Sequence, residues 1–166
     1  MIRAIAGLLP AAAGEIDLEG RPDDAPVGTH CHYIAHRNAL KGDLSVRENL
    51  LFWNEISGGR ASSFDGISER VDLLDLVDIP VRYLSAGQQR RVALARLLVN
   101  PRPLWLLDEP TVSLDQSHTE LFAGLANEHL VDGGMIVAAT HLPLGFMRER
   151  VLRLAAERRH AERERS

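Results

Sequence analysis

A chain of 166 residues, 45% hydrophobic and 25% charged, has room for one domain with a real core and does not have the composition of a disordered or fibrous protein. Its formal net charge of −4 gives no electrostatic case for binding nucleic acid or an anionic membrane, and its single cysteine, Cys31, cannot close an internal disulfide and suits a reducing compartment. No apolar run approaches the roughly 20 residues of a spanning helix, and the first residues are too short and too weakly charged to read as a signal peptide.

In chain order, Met1 to Leu9 has helical spacing, with Ile2, Ile5, Ala6 and Leu9 on one face, and stops at Pro10. Gly14 to Gly20 alternates polar and apolar residues between glycines and reads as a half-buried strand. Residues 21 to 29 read as loop, and His32 to Ala35 as a short apolar strand. Ser45-Val46-Arg47-Glu48 forms a capping box, opening a helix to about Ile56 that Gly58-Gly59 ends. A second helix is expected from Ile67 to Leu76, before Pro80. Ser85-Ala86-Gly87-Gln88 is another capping box, for a helix running to about Val99. Leu104 to Leu107 is an apolar run between Pro103 and Asp108, as in a strand buried on both faces. A helix follows over Ser117 to Leu130, a second buried strand over Met135 to Thr140, and a possible third over Val151 to Leu154. Strands alternating with helices imply an α/β fold with a parallel sheet, into which 45–84 is a helical insertion. The segment 157–166 mixes Arg, Glu and His and is expected to fray.

The chemistry gathers at strand ends and helix starts. Asp108 and Glu109 follow a buried strand, where open α/β sheets present ligand groups. An aspartate there can hold Mg²⁺ through water, and the neighbouring glutamate can polarise a water for attack on a phosphate. Alone, the pair could equally be a charged strand end. Ser85 and Gly87 lie at a helix N-terminus, where free N–H groups and the helix dipole favour a phosphate; an ordinary N-cap is the plain alternative. His141, after Thr140, also sits at a strand's C-terminal end and could donate to a phosphate, although a lone histidine is more often structural. Ser113-Leu114-Asp115 could be no more than the cap of the next helix.

Taken together and in this order, Leu84-Ser85-Ala86-Gly87-Gln88-Gln89, Leu104 to Pro110, Ser113-Leu114-Asp115 and Thr140-His141 resemble the signature, Walker B strand, D-loop and switch histidine of ATP-binding cassette (ABC) ATPases. Tyr33 to Lys41, Leu44 to Trp53 and the Ser-Ala-Gly-Gln-Gln-Arg-Arg form of the signature look most like the ATP-binding subunits of cytochrome c maturation haem exporters. The resemblance implies a P-loop NTPase-like three-layer domain over 1–166, with a helical subdomain at about 45–84. It implies ATP and Mg²⁺ as cofactors, Asp108 on Mg²⁺, and Glu109 and His141 as catalytic residues. Ser85, Ala86, Gly87, Gln88, Asp115 and His36 would be nucleotide-site residues, His36 standing where most cassettes have the Q-loop glutamine. The implied partners are a second cassette and membrane-spanning subunits similar to CcmB and CcmC, with no nucleic acid, at the cytoplasmic face of the bacterial inner membrane.

The family's phosphate cradle, G-x-x-x-x-G-K-[ST], does not occur in these residues; the one lysine, Lys41, follows no glycine-rich loop. Met1 to Leu9 resembles the helix after that loop, so the sequence is expected to be incomplete at its N-terminus and to bind ATP weakly by itself. Two other readings stay open: a truncated, non-catalytic subunit lending its signature to a partner, and a soluble cassette protein acting on nucleic acid or the ribosome.

Overall fold

The computed structural model describes residues 1–21, 23–59 and 63–153. A three-stranded parallel sheet is built from β1 (Cys31–Ile34), β2 (Leu104–Asp108) and β3 (Met135–Ala139), in that spatial order. Ile34 pairs with Leu107, and Asp108 with Ala139. Central β2 is buried over its first four residues, as its unbroken apolar run requires. β3 was expected to be buried as well, but it lies at the end of the sheet and Met135 is 42% exposed.

The remaining helices are α1 (Ile2–Ile5), α2 (Val46–Ser57), α3 (Phe64–Arg70), α4 (Ala86–Val99) and α5 (Gln116–Val131). On one face of the sheet, Leu104 and Leu106 pack with Ile2, Leu18 and Val27. On the other, Ile34, Trp105 and Leu107 pack with Leu94 and Leu97 of α4 and Phe122 and Ala126 of α5. The far side of α4 (Val92, Ala95, Val99) meets Val46 and Leu50 of α2 and Ile67 of α3. α4 is therefore wrapped on several sides, and eight of its residues are buried, each large apolar one worth about 1.5–3 kcal/mol.

Both capping boxes form. Ser45 Oγ accepts from the Glu48 N–H at 3.2 Å and Glu48 accepts from the Ser45 N–H at 2.7 Å. Ser85 and Gln88 exchange the same pair at 3.2 and 2.8 Å. Gly58, in the left-handed region at φ +106°, ends α2. The loop leading into α2 is shaped by the fully buried Asn49, whose side chain bonds Lys41 N–H and the carbonyls of Lys41, Leu44 and Ser45. The two ends of 44–81 close on each other: Val46 N–H donates to Ile79 O at 3.2 Å and Val81 N–H to Leu44 O at 3.0 Å.

Four expectations need correction. The N-terminal helix is a single turn, because Gly7 turns left-handed at φ +72° and the N–H groups of Leu8 and Leu9 fold back onto Arg3 O. Gly14 to Gly20 is not a strand: its alternation buries Leu18 alone, leaves Ile16 40% exposed, and none of its residues enters the sheet ladder. The helix set at Ile67 to Leu76 begins earlier, at Phe64 behind its Ser63 cap, and breaks at Asp72, whose φ is +55°; a separate 3₁₀ turn covers Leu74–Leu76. Residues 151–153 are not strand, and Leu154, like the segment 157–166, lies outside the described residues.

Candidate functional site

The three parallel strands end at one rim, and two groups of the anticipated residues assemble there. The first is Asp108, Glu109 and His141. Asp108 closes β2 opposite Ala139, so Glu109 and the turn after β3 are neighbours by register. Glu109 sits in the left-handed region at φ +48°, uncommon for a residue with a Cβ, and its N–H donates to Ala139 O at 2.8 Å. His141 Nε2 lies 3.3 Å from Glu109 Oε1, the imidazole 94% exposed and the carboxylate side chain 25% exposed. The histidine is presented by a tight turn in which Thr140 Oγ1 bonds both the N–H and the carbonyl of Leu142.

The second group joins the start of α4 to the turn before α5. Gly87 lies so close to this turn that a Cβ there would stand 2.8 Å from Ser113 O. The missing side chain leaves room for the Ser113 turn, itself left-handed at φ +69°. Ala86 is exposed at the first position of α4, and Gln88 is half-buried with its amide oxygen engaged by the Ser85 N–H. Asp115 caps α5: its Oδ1 accepts from the His118 N–H (2.9 Å), Ser117 Oγ (2.9 Å) and His118 Nδ1 (2.7 Å). Its pKa falls to about 2, first through the His118 backbone N–H, then the Ser117 hydroxyl and the His118 ring. The same imidazole reaches Asp72 through Nε2 at 3.0 Å, and Arg91 holds Asp72 Oδ2 at 2.6 Å. His36 is exposed one residue past the carbonyl of Ala35, outside both groups. Lys41 has its ammonium over the Phe52 ring, 4.4 Å from the centroid.

One residue of the site went unread in the sequence. Arg90, 1% exposed, donates to the carbonyls of Ala35, Asp108, Glu109 and Pro110 and to Asn38 Oδ1. Burial lowers its pKa, against the opposing pull of Asp108 and Glu109. Arginine in a helix ordinarily reads as solvated surface, and its acceptors come from segments up to 55 residues away, so no local pattern marks it.

Among the described residues no cluster of three or more His, Cys, Asp or Glu side chains could hold a metal ion. A magnesium ion near Asp108 would therefore find at most two such side chains among the described residues. That suits an ion that keeps most of its waters and is held by one or two carboxylates together with phosphates. Arg90 bonds the main-chain oxygen of Asp108, which leaves the carboxylate available.

A family model described as ABC transporter matches residues 1–112. The cytochrome c biogenesis ATP-binding export protein CcmA of Rhodopseudomonas palustris (strain BisB5) is 51% identical over 146 residues, covering 88% of this chain and 73% of that protein. CcmA of Brucella abortus (strain 2308) is 50% identical over 146 residues, covering 88% and 68%. Among solved structures, a dimeric ATP-binding cassette in a post-hydrolysis state bound to ADP and Pi superposes with a TM-score of 0.71 at 25% identity, over 84% of this chain and 68% of that one. An ATP binding subunit of an ABC transporter superposes with a TM-score of 0.73 over 85% of this chain and 62% of that one; at 21% identity it shows the fold alone.

Proposed function

We propose, from the premise that the chain belongs to the ABC transporter ATPase family, that it serves haem export for cytochrome c biogenesis by coupling ATP hydrolysis to transport. The single observation that carries the chemistry is the pairing of Glu109 and His141 at the strand-end rim beside Asp108. In this reading Asp108 holds Mg²⁺, Glu109 polarises the attacking water, and His141 donates to the terminal phosphate. Ser85, Ala86, Gly87 and Gln88, with Asp115 behind them, face a nucleotide held by a second cassette, and His36 occupies the loop next to the cis site. Residues 45–84 act as a helical subdomain. Support for a role in cytochrome c biogenesis is that relatives about half identical to this chain are ATP-binding export proteins of that process.

Among the described residues no helix is long and apolar enough to cross a membrane. The chain would be held at the cytoplasmic face of the inner membrane by membrane-spanning subunits similar to CcmB and CcmC. ATP binding in this assembly needs a phosphate cradle, which the 166 residues do not contain. A second reading, in which the chain lends Ser85 and Gly87 to a partner cassette, is favoured by the exposed start of α4 at Ser85 and Ala86.

The test is co-expression with the membrane-spanning subunits in a bacterium deleted for its own export ATPase, followed by staining for covalently bound haem. Restored cytochromes that are lost again with Glu109→Gln support the proposal. Restoration that requires a co-expressed cassette carrying a phosphate cradle but a defective signature, and that survives Glu109→Gln, supports signature lending; no restoration in either setting with a correctly assembled complex refutes both.

A further inference from the structure

We infer that Arg90 is a positioning residue that ties the backbone of Glu109 to the loop after β1, so that the two strand ends move as one unit. A guanidinium has five N–H donors in a fixed fork. Here Nε donates to Pro110 O at 2.8 Å, Nη1 to Ala35 O at 2.9 Å and Asn38 Oδ1 at 3.0 Å, and Nη2 to Asp108 O at 3.1 Å and Glu109 O at 2.7 Å. Every donor has its own acceptor, and the acceptors divide into two sets: the three consecutive carbonyls of 108–110 at the end of β2, and the loop after β1.

The β2 side of this tie is where the backbone is strained. Glu109 is left-handed, and its peptide is held at one end by Ala139 O and at the other by Arg90. Removing the guanidinium leaves Glu109 O with the Val112 N–H (3.2 Å) alone and takes the side-chain donor from Pro110 O, a loss that favours relaxation of the turn. On the β1 side, Arg96, also on α4, donates to Asn38 O at 3.3 Å, so two arginines of one helix hold the same loop. Lysine could not replace Arg90: its donors radiate from one atom and cannot span two strand ends. An apolar side chain would fill the space and satisfy none of the carbonyls. Arg90 lies one turn into α4, the helix capped by Ser85, so a shift of this helix reaches both strand ends together. The tie stands on geometry alone; its catalytic meaning rests on the role proposed above for Glu109.

The test is an exchange cycle on the 166-residue chain. Amide hydrogen exchange is read at Glu109 and Val112, with mid-α5 amides as controls, in the wild type, Asn38→Ala, Arg90→Met and the double variant; Arg90→Gln substitutes if Arg90→Met does not fold. Asn38→Ala is expected to speed exchange at Glu109 by about threefold or more when Arg90 is present and to add nothing when it is absent. Equal effects in both backgrounds, or unchanged Glu109 exchange in the Arg90 variant, overturn the tie. In the ATP-hydrolysing assembly, Arg90→Lys should lower kcat about tenfold with KM for ATP within about twofold. A raised KM at unchanged kcat overturns the positioning role. An assembly whose wild type hydrolyses no ATP refutes the proposed function instead, and the exchange cycle then decides the tie.

Discussion

His141 stands with Nε2 3.3 Å from Glu109 Oε1, although the two residues reach each other from different strands. The contact places an exposed imidazole and a partly covered carboxylate on the same small volume. In a version of the chain supplied with the phosphate cradle, Glu109→Gln is expected to abolish turnover while sparing nucleotide binding, since the amide keeps the shape but cannot polarise water, a loss of order 10²-fold or more. His141→Ala should impair turnover as well by removing a phosphate contact. Phosphate release checks both, and near-normal release in Glu109→Gln would remove the assigned base.

The start of α4 separates two roles within one motif. Ser85→Ala loses a cap and should cost about 1 kcal/mol. Gly87→Ala is a different lesion, because the new Cβ meets the main-chain oxygen of Ser113 at 2.8 Å. A backbone carbonyl cannot rotate away as a side chain can, so the turn at 113–115 must shift, at about 1–3 kcal/mol. Chemical denaturation gives the two costs. Amide chemical shifts of Leu114 and Asp115 should move in Gly87→Ala and stay put in Ser85→Ala.

Acid should weaken the fold before the carboxylates titrate. Burial outweighs the bond from His32 to the Asn100 carbonyl (2.5 Å) and pushes its pKa to about 4, and burial lowers that of His129 too. The unfolded chain, with histidines near 6.5, therefore binds more protons than the folded one in this window. The histidine contribution is fully present above about pH 6.5 and is lost as pH falls towards 4. His32 alone should remove about 2 kcal/mol between pH 7 and 5. Asp115, at about 2, keeps its charge throughout this range. Urea midpoints against pH should show the slope, and His32→Gln should flatten it; a wild-type midpoint independent of pH between 7 and 5 would contradict the burial argument.

Gly134 has no room for a side chain. A Cβ there would fall 2.2 Å from the His129 ring, and that ring is stacked on Trp105 with centroids 4.0 Å apart and planes 6° from parallel. The ring cannot retreat without breaking its stack, so Gly134→Ala should cost about 1–3 kcal/mol. His129→Ala opens the space. A thermal-melt cycle should therefore show Gly134→Ala nearly harmless in the His129→Ala background; additive losses would mean the backbone, not the ring, sets the cost.

The elements legible in the sequence were those with a local signature. Ser45 with Glu48 and Ser85 with Gln88 marked two helix starts, and Leu104 to Leu107 marked the central strand, because caps and apolar runs act over a few residues. Asp108, Glu109 and His141 were legible as strand-end groups. Gly14 to Gly20 carried the right alternation, but alternation specifies a face and cannot supply a neighbour to bond with. Arg90 and the reach of His118 to Asp72 were invisible for a shared reason: each acts through partners that only the folded chain brings near.

The ladder between β2 and β3 also fixes something finer than topology. Asp108 faces Ala139, and the two groups that approach each other are one residue beyond the first and two beyond the second. A slip of one position would carry Glu109 along the strand by about 3.3 Å and turn its side chain to the opposite face of the sheet. The distance between carboxylate and imidazole is thus a registration mark, and a substitution far down either strand that loosens the pairing would part them while leaving both side chains chemically intact.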